Sequence, residues 1–133
     1  MIEKIDHIGI AVKNLDDAMR KYADIFGLKA TSIEVHSDLN IRICFIPVGE
    51  VLIELLEPLS EEGRIGKFVK ENGEGFHHIA YRVTNLEALL EAMKNEKVKL
   101  RDDRPRPGGG GSKIGFIDPI ETNGVLTELV ERP

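Results

Sequence analysis

At 133 residues, with 41% hydrophobic and 31% charged residues, the chain has the make-up of one compact domain, or of two half-domains sharing a core. A net charge of −5 argues against nucleic acid as the main partner, because phosphate binding needs a clustered basic face, and no apolar run is long enough to span a bilayer. The single cysteine, Cys44, excludes an internal disulfide framework, and the opening Met1-Ile2-Glu3-Lys4 lacks a charged-then-apolar signal layout, which predicts a cytoplasmic protein.

Ile5 to Val12 alternates as a strand does, and Asn14 is a good N-cap. Leu15, Ala18, Met19, Tyr22, Ile25 and Phe26 then recur at helical spacing until Gly27, which stops the helix. Three strand-like stretches follow, at about 30–36, 41–48 and 51–57, with "PVGE" as a turn between the last two. Pro58 closes this unit. The stretch "LSEEGRIGKFVKENGEG" reads as a short amphipathic helix, carrying Ile65, Phe68 and Val69, that ends in a Gly-rich linker over about 59–75. Then the order restarts: a strand over 76–83, a helix capped by Asn85 and carrying Leu86, Leu89, Leu90 and Met93, and strands at about 98–101, 113–117 and 125–130.

The restart is a repeat. Sliding the chain by 71 positions places His7 on His78, Ile8 on Ile79, Val12 on Val83, Asn14 on Asn85 and Leu15 on Leu86. Each copy is a βαβββ module, the first at about 5–58 and the second at about 76–131, and such a module must pack against its twin to bury its apolar face. The expected fold is therefore α+β, with the two modules forming a single domain over 1–133.

Each module contributes one histidine in its first strand and one glutamate in its last: His7 with Glu54, and His78 with Glu128. Each glutamate lies among apolar neighbours, in "VLIELLEP" and "GVLTELVE", where an unpaired carboxylate is costly to bury. Two imidazoles and two carboxylates related by an internal pseudo-twofold would surround a divalent ion and leave positions open for water or a bidentate substrate. A mixed nitrogen and oxygen set of this kind suits Co²⁺, Mn²⁺, Ni²⁺, Fe²⁺ or Zn²⁺. Strand parity puts Gly9 and Ala11 on the face of His7, and Ala80 and Arg82 on the face of His78, so small residues sit beside each ligand. His77 falls on the opposite, helix-facing side. His36, beside Ser37 and Asp38, reads as an exposed loop residue, and Cys44 as a packed small hydrophobe.

Between the later strands of the second module lies "RDDRPRPGGGGSK", whose glycines favour neither helix nor strand. Two readings stay open for it: a mobile hairpin, or a loop that closes over substrate with Arg104, Arg106 and Lys113 as flanking cations.

These residues resemble a known family. "DHIGIAV", "HHIAYRV", "IELLEP" and "GVLTEL" look like the vicinal oxygen chelate superfamily, and "PVGEVLIELLEPL" with "DDRPRPGGGGSKIGFIDP" resembles its methylmalonyl-CoA epimerases. The resemblance implies a partly open, cup-shaped eight-stranded sheet around a metal held by His7, Glu54, His78 and Glu128, with Co²⁺ or Mn²⁺ preferred, helices outside, and a homodimer serving propionate metabolism. It implies an acyl-CoA substrate met by Arg104, Arg106, Gly109, Gly110, Ser112 and Lys113, with the cations near the CoA phosphates. Two features depart from the family pattern: a usual His-Pro-Lys reads Asp118-Pro119-Ile120, and a glutamate found in the third strand of some epimerases is replaced within Ile41-Arg42-Ile43-Cys44.

The implied reaction interconverts (R)- and (S)-methylmalonyl-CoA through a metal-stabilised enediolate. Glu128 is the expected base on one face of the reacting carbon, and Glu54 or a water the second group. A glyoxalase I-like isomerase and a non-catalytic ligand-sequestering protein are the alternatives; the complete His and Glu set speaks against the second, and the "RPRPGGGG" loop against the first.

Overall fold

A computed structural model describes residues 1–133. The elements run β1 (Ile2–Ala11), α1 (Leu15–Phe26), β2 (Ser32–His36), β3 (Ile41–Val48), β4 (Val51–Pro58), α2 (Gly63–Asn72), β5 (Gly75–Val83), α3 (Leu86–Asn95), β6 (Arg106–Pro107), β7 (Lys113–Ile117) and β8 (Thr127–Glu131). Short 3₁₀ turns cover Gly109–Gly111 and Pro119–Thr122. The eight strands follow the order β2-β3-β4-β1-β5-β8-β7-β6 in one sheet, with β1 parallel to β4 and β5 parallel to β8. This is the expected α+β pair of βαβββ modules. No helix is long and apolar enough to cross a membrane.

The chain divides into two compact units, His7–His77 and a second made of Met1–Asp6 with His78–Pro133. In the first unit, α1 starts where the Asn14 side chain accepts from the Asp17 N–H at 2.9 Å, and it ends at Gly27, whose φ of 68° is the left-handed conformation that glycine adopts without strain. Its inward stripe of Leu15 and Ala18 packs with Val12, Cys44, Ile46 and Leu55. The other face of the same strands, Ala11, Ile41, Ile43, Phe45 and Leu56, is covered by Ile65, Phe68 and Val69 of α2. In the second unit, Leu86, Leu89 and Leu90 of α3 meet Val83, Ile117 and Leu129, while Ala80, Ile114, Phe116 and Val130 form a cluster of their own. Fully burying one such leucine contributes about 1.5–3 kcal/mol.

Two local expectations are corrected. The strand predicted at 98–101 is reduced to one bridge, Leu100 with Ile117, and the partner of β7 is instead the two-residue β6. Asp102 explains this: its Oδ2 takes the Phe116 N–H at 2.8 Å, while the Phe116 carbonyl accepts both the Arg101 and Asp102 N–H groups, so a side chain stands where a ladder bond would form. His36 is half-buried at the end of β2, with Nε2 at 2.7 Å from Glu34 Oε1, because alternation puts both side chains on one face of the strand.

The unit boundary also differs from the module boundary. Ile2–Asp6 belongs with the second module, because the buried Asp6 carboxylate is held there by Arg82 and Arg132.

Candidate functional site

In the first unit, β1 and β4 pair in parallel with His7 opposite Leu52 and Gly9 opposite Glu54. His7 therefore stands two residues before the partner of Glu54, and parity puts both side chains on one face. His7 Nδ1 lies 3.1 Å from Glu54 Oε2, and the residues are 2% and 5% exposed. Glu54 is flanked across the sheet by Gly9 on β1 and Phe45 on β3.

The second unit repeats the construction. Ala80 pairs with Glu128, so His78 stands two residues before the partner of its glutamate, and His78 Nε2 lies 3.3 Å from Glu128 Oε1. Both residues are buried. Glu128 is flanked by Ala80 on β5 and Phe116 on β7. Each carboxylate thus lies between a glycine or alanine, which leaves space above the sheet, and a phenylalanine, which excludes water from one side. Phe116 also meets the His78 ring edge-on, with centroids 5.4 Å apart, and limits its rotation.

Each pair offers one imidazole nitrogen and one carboxylate oxygen away from bulk water. This His and Glu donor set fits a divalent ion. His7, Glu54, His78 and Glu128 are placed in their units as strand parity predicts, and His77 lies against Phe68 of α2, with ring centroids at 4.8 Å.

The glycine run is a folded turn. Ser112 is buried and its Oγ donates to the Gly109 carbonyl at 2.8 Å, while the Gly108 N–H donates to the Ser112 carbonyl at 3.0 Å. A Cβ on Gly108 would sit 2.6 Å from the Ile114 side chain, so packing alone requires glycine there. Gly110 and Gly111 have φ of 66° and 71°. The basic residues separate by environment. Arg104 and Lys113 are exposed, whereas Arg106 is half-buried, its Nε 2.9 Å from Asp102 Oδ1 and its guanidinium 5.6 Å from the Phe116 ring centre.

Sequence reasoning missed five contributors. Phe45 and Phe116, one repeat apart, were not read as walls of the two carboxylates, although the 71-residue offset relates them as it relates the histidines. Glu57 and Glu131, each three residues after a site glutamate, accept the first helical N–H of their own module: Leu15 to Glu57 Oε2 at 2.7 Å, and Leu86 to Glu131 Oε1 at 2.8 Å. Asp102 holds both Arg106 and β7. Cys44 is fully buried, and burial pushes its thiol up to about 11, which matches a packing role.

Residues 6–116 match the Glyoxalase/Bleomycin resistance protein/Dioxygenase superfamily. An uncharacterised protein of Bacillus subtilis (strain 168) is 40% identical over 130 residues, covering 98% of this chain and 93% of its own. The ethylmalonyl-CoA/methylmalonyl-CoA epimerase of Cereibacter sphaeroides is 32% identical over 131 residues, covering 97% of this chain and 98% of its own. A solved structure of a Streptomyces coelicolor methylmalonyl-CoA epimerase variant, in complex with 2-nitronate-propionyl-CoA, superposes with a TM-score of 0.94 at 35% identity, covering 99% of this chain and 96% of that one. On this agreement of sequence and fold over nearly the full length, the chain belongs to the Glyoxalase/Bleomycin resistance protein/Dioxygenase superfamily, among its methylmalonyl-CoA epimerases.

Proposed function

We propose that the chain epimerises methylmalonyl-CoA, and that His7, Glu54, His78 and Glu128 together hold one divalent ion, Co²⁺ or Mn²⁺. The observation that carries this reading is the duplicated construction: two buried His and Glu pairs, at 3.1 and 3.3 Å, on the same register diagonal of equivalent strands. The epimerases among the relatives and their acyl-CoA complex supply the substrate class.

The substrate has a carboxylate and a thioester carbonyl on either side of one carbon. His7, Glu54, His78 and Glu128 would hold the divalent ion, which would supply Lewis-acid polarisation of the substrate. Glu128 then accepts the proton from that carbon, its carboxylate kept dry by Phe116 and its approach left open by Ala80. A water, or Glu54 relaying a proton from water, delivers a proton to the opposite face, and Glu128 releases the proton it took to solvent, so the α-hydrogen is exchanged with water. The strand that carries a glutamate in some epimerases reads Ile41-Arg42-Ile43-Cys44 here, and Ile43 belongs to a buried apolar cluster. Arg104 and Lys113, both exposed, are suited to the CoA phosphates, and Arg106, fixed by Asp102 over Phe116, to the acyl end.

The experiment is α-hydrogen exchange of methylmalonyl-CoA in deuterated water, run with Co²⁺- or Mn²⁺-loaded and chelated protein. Metal-dependent exchange with loss of optical purity is the expected result. No exchange by the loaded protein, or turnover of the methylglyoxal–glutathione adduct in its place, would overturn the proposal.

A further inference from the structure

We propose that Arg132 is a positioning residue for the acyl-CoA: its guanidinium holds the Gly109–Gly111 turn in the shape that receives substrate, and Asp6 holds the guanidinium. This rests on the acyl-CoA reading above. The Asp6 carboxylate is completely buried. It accepts from Arg132 Nε at 3.1 Å and Nη2 at 2.5 Å on its two oxygens, and from Arg82 Nε at 2.9 Å. A fork gripped at two points has its plane fixed, so the direction of its remaining donor is set. That donor, Nη1, reaches the Gly109 carbonyl at 3.1 Å, the same oxygen that takes the Ser112 hydroxyl.

The glycine run is shaped around this contact. A Cβ on Gly110 would stand 2.8 Å from Arg132 Nη1, and Gly110 also has a positive φ. The guanidinium thus lies against the turn, and it is the positive φ that favours glycine at this position.

The other module folds without the device. By the repeat offsets, the counterparts of Asp6, Arg82 and Arg132 are His77, Ala11 and Pro58, which can form no guanidinium–carboxylate pair, and the equivalent turn reads Ser37-Asp38-Leu39-Asn40. A βαβββ module therefore does not need the clamp to form its sheet. The clamp is confined to the half that carries the glycine turn. Holding that turn before substrate arrives removes an ordering cost from binding, so loss of Arg132 acts on affinity ahead of chemistry.

The test measures propionyl-CoA binding by calorimetry, KM and kcat for epimerisation, and bound metal, for wild type, Arg132→Ala, Arg132→Lys and Arg82→Gln. Arg82→Gln removes a partner of the same carboxylate without touching the turn, and so reports the purely structural cost. In Arg132→Ala the propionyl-CoA dissociation constant and KM are expected to rise about tenfold with kcat and metal content little changed, the size of effect that loss of one charged hydrogen bond carries. Millimolar guanidinium should restore part of the loss, Arg132→Lys should fall between, and Arg82→Gln should bind as wild type does. Unchanged binding in Arg132→Ala overturns the assignment, as does an equal loss in Arg82→Gln. If Arg132→Ala does not fold, the comparison of Arg132→Lys with Arg82→Gln decides by the same criterion. A wild-type chain that binds no propionyl-CoA overturns the functional reading and this assignment together, whereas normal wild-type binding with an indifferent Arg132 overturns only the latter.

Discussion

Glu131 accepts the backbone N–H of Leu86, the first residue of α3, at 2.8 Å, while Glu128, three positions earlier on β8, lies 3.3 Å from His78. Glu57 and Glu54 on β4 stand in the same relation to Leu15 and His7. One strand thus carries, at a fixed interval, a carboxylate paired with a buried histidine and a carboxylate that docks the helix of its module.

Glu57→Ala and Glu131→Ala should each lower the free energy of unfolding by about 1–2 kcal/mol, because each leaves a helix N–H without its anionic acceptor. Urea denaturation followed by circular dichroism measures this. A change within a few tenths of a kcal/mol would show that water replaces the carboxylate at no cost.

Glu128→Gln should reduce α-hydrogen exchange by about 10²–10⁴-fold, the usual contribution of a positioned acid or base. Chelation of the metal should abolish exchange and lower the melting temperature, since an ion bound only by the native chain stabilises it by mass action. Exchange by mass spectrometry and metal stoichiometry on the same samples distinguish a lost base from a lost ion.

Asp102→Ala removes the acceptor of the Phe116 N–H and the partner of Arg106 together. The buried amide left behind should cost about 1–3 kcal/mol, and Asp102→Asn, which keeps one acceptor oxygen, should cost less. Activity should fall more than stability in Asp102→Ala, because Arg106 is released from its place over Phe116. Parallel losses in both variants would argue for a structural role only.

Cys44 should resist thiol reagents in the native protein at pH 8 and react fully in urea. Burial raises its thiol from 9.0 to about 11, so the neutral form is favoured in the folded chain. A group raised on folding contributes its stability below the unfolded value and loses it as pH climbs through the folded one. Urea midpoints should therefore decline between about pH 9 and 11, and Cys44→Ser should flatten that decline.

Much of this was legible because it is periodic. The 71-residue offset exposed both modules, and alternation around His7 and His78 placed each beside a small residue and on the face away from α1 or α3. What stayed hidden depends on side chains that replace backbone or reach across the chain. Asp102 fills a ladder position that a strand would fill, so the stretch at 98–101 looked like β-structure. Glu57 and Glu131 sit at strand ends, where a carboxylate usually faces water. Asp6 reads as an ordinary residue before a strand histidine; only the arrival of Arg82 and Arg132 reveals why a charge is buried there.

The assignment of Met1–Asp6 to the same unit as His78–Pro133 bears on how the chain folds. Asp6 must wait for residues 76 and 126 positions further on before its charge is neutralised, which makes these contacts among the most non-local in the molecule. Closing such long loops is entropically slow, so the first unit is expected to consolidate early and the second last. Severing the polypeptide in the linker between modules would accordingly strand five residues of β1 on the wrong fragment, and the C-terminal piece would keep two arginines facing a missing counter-ion.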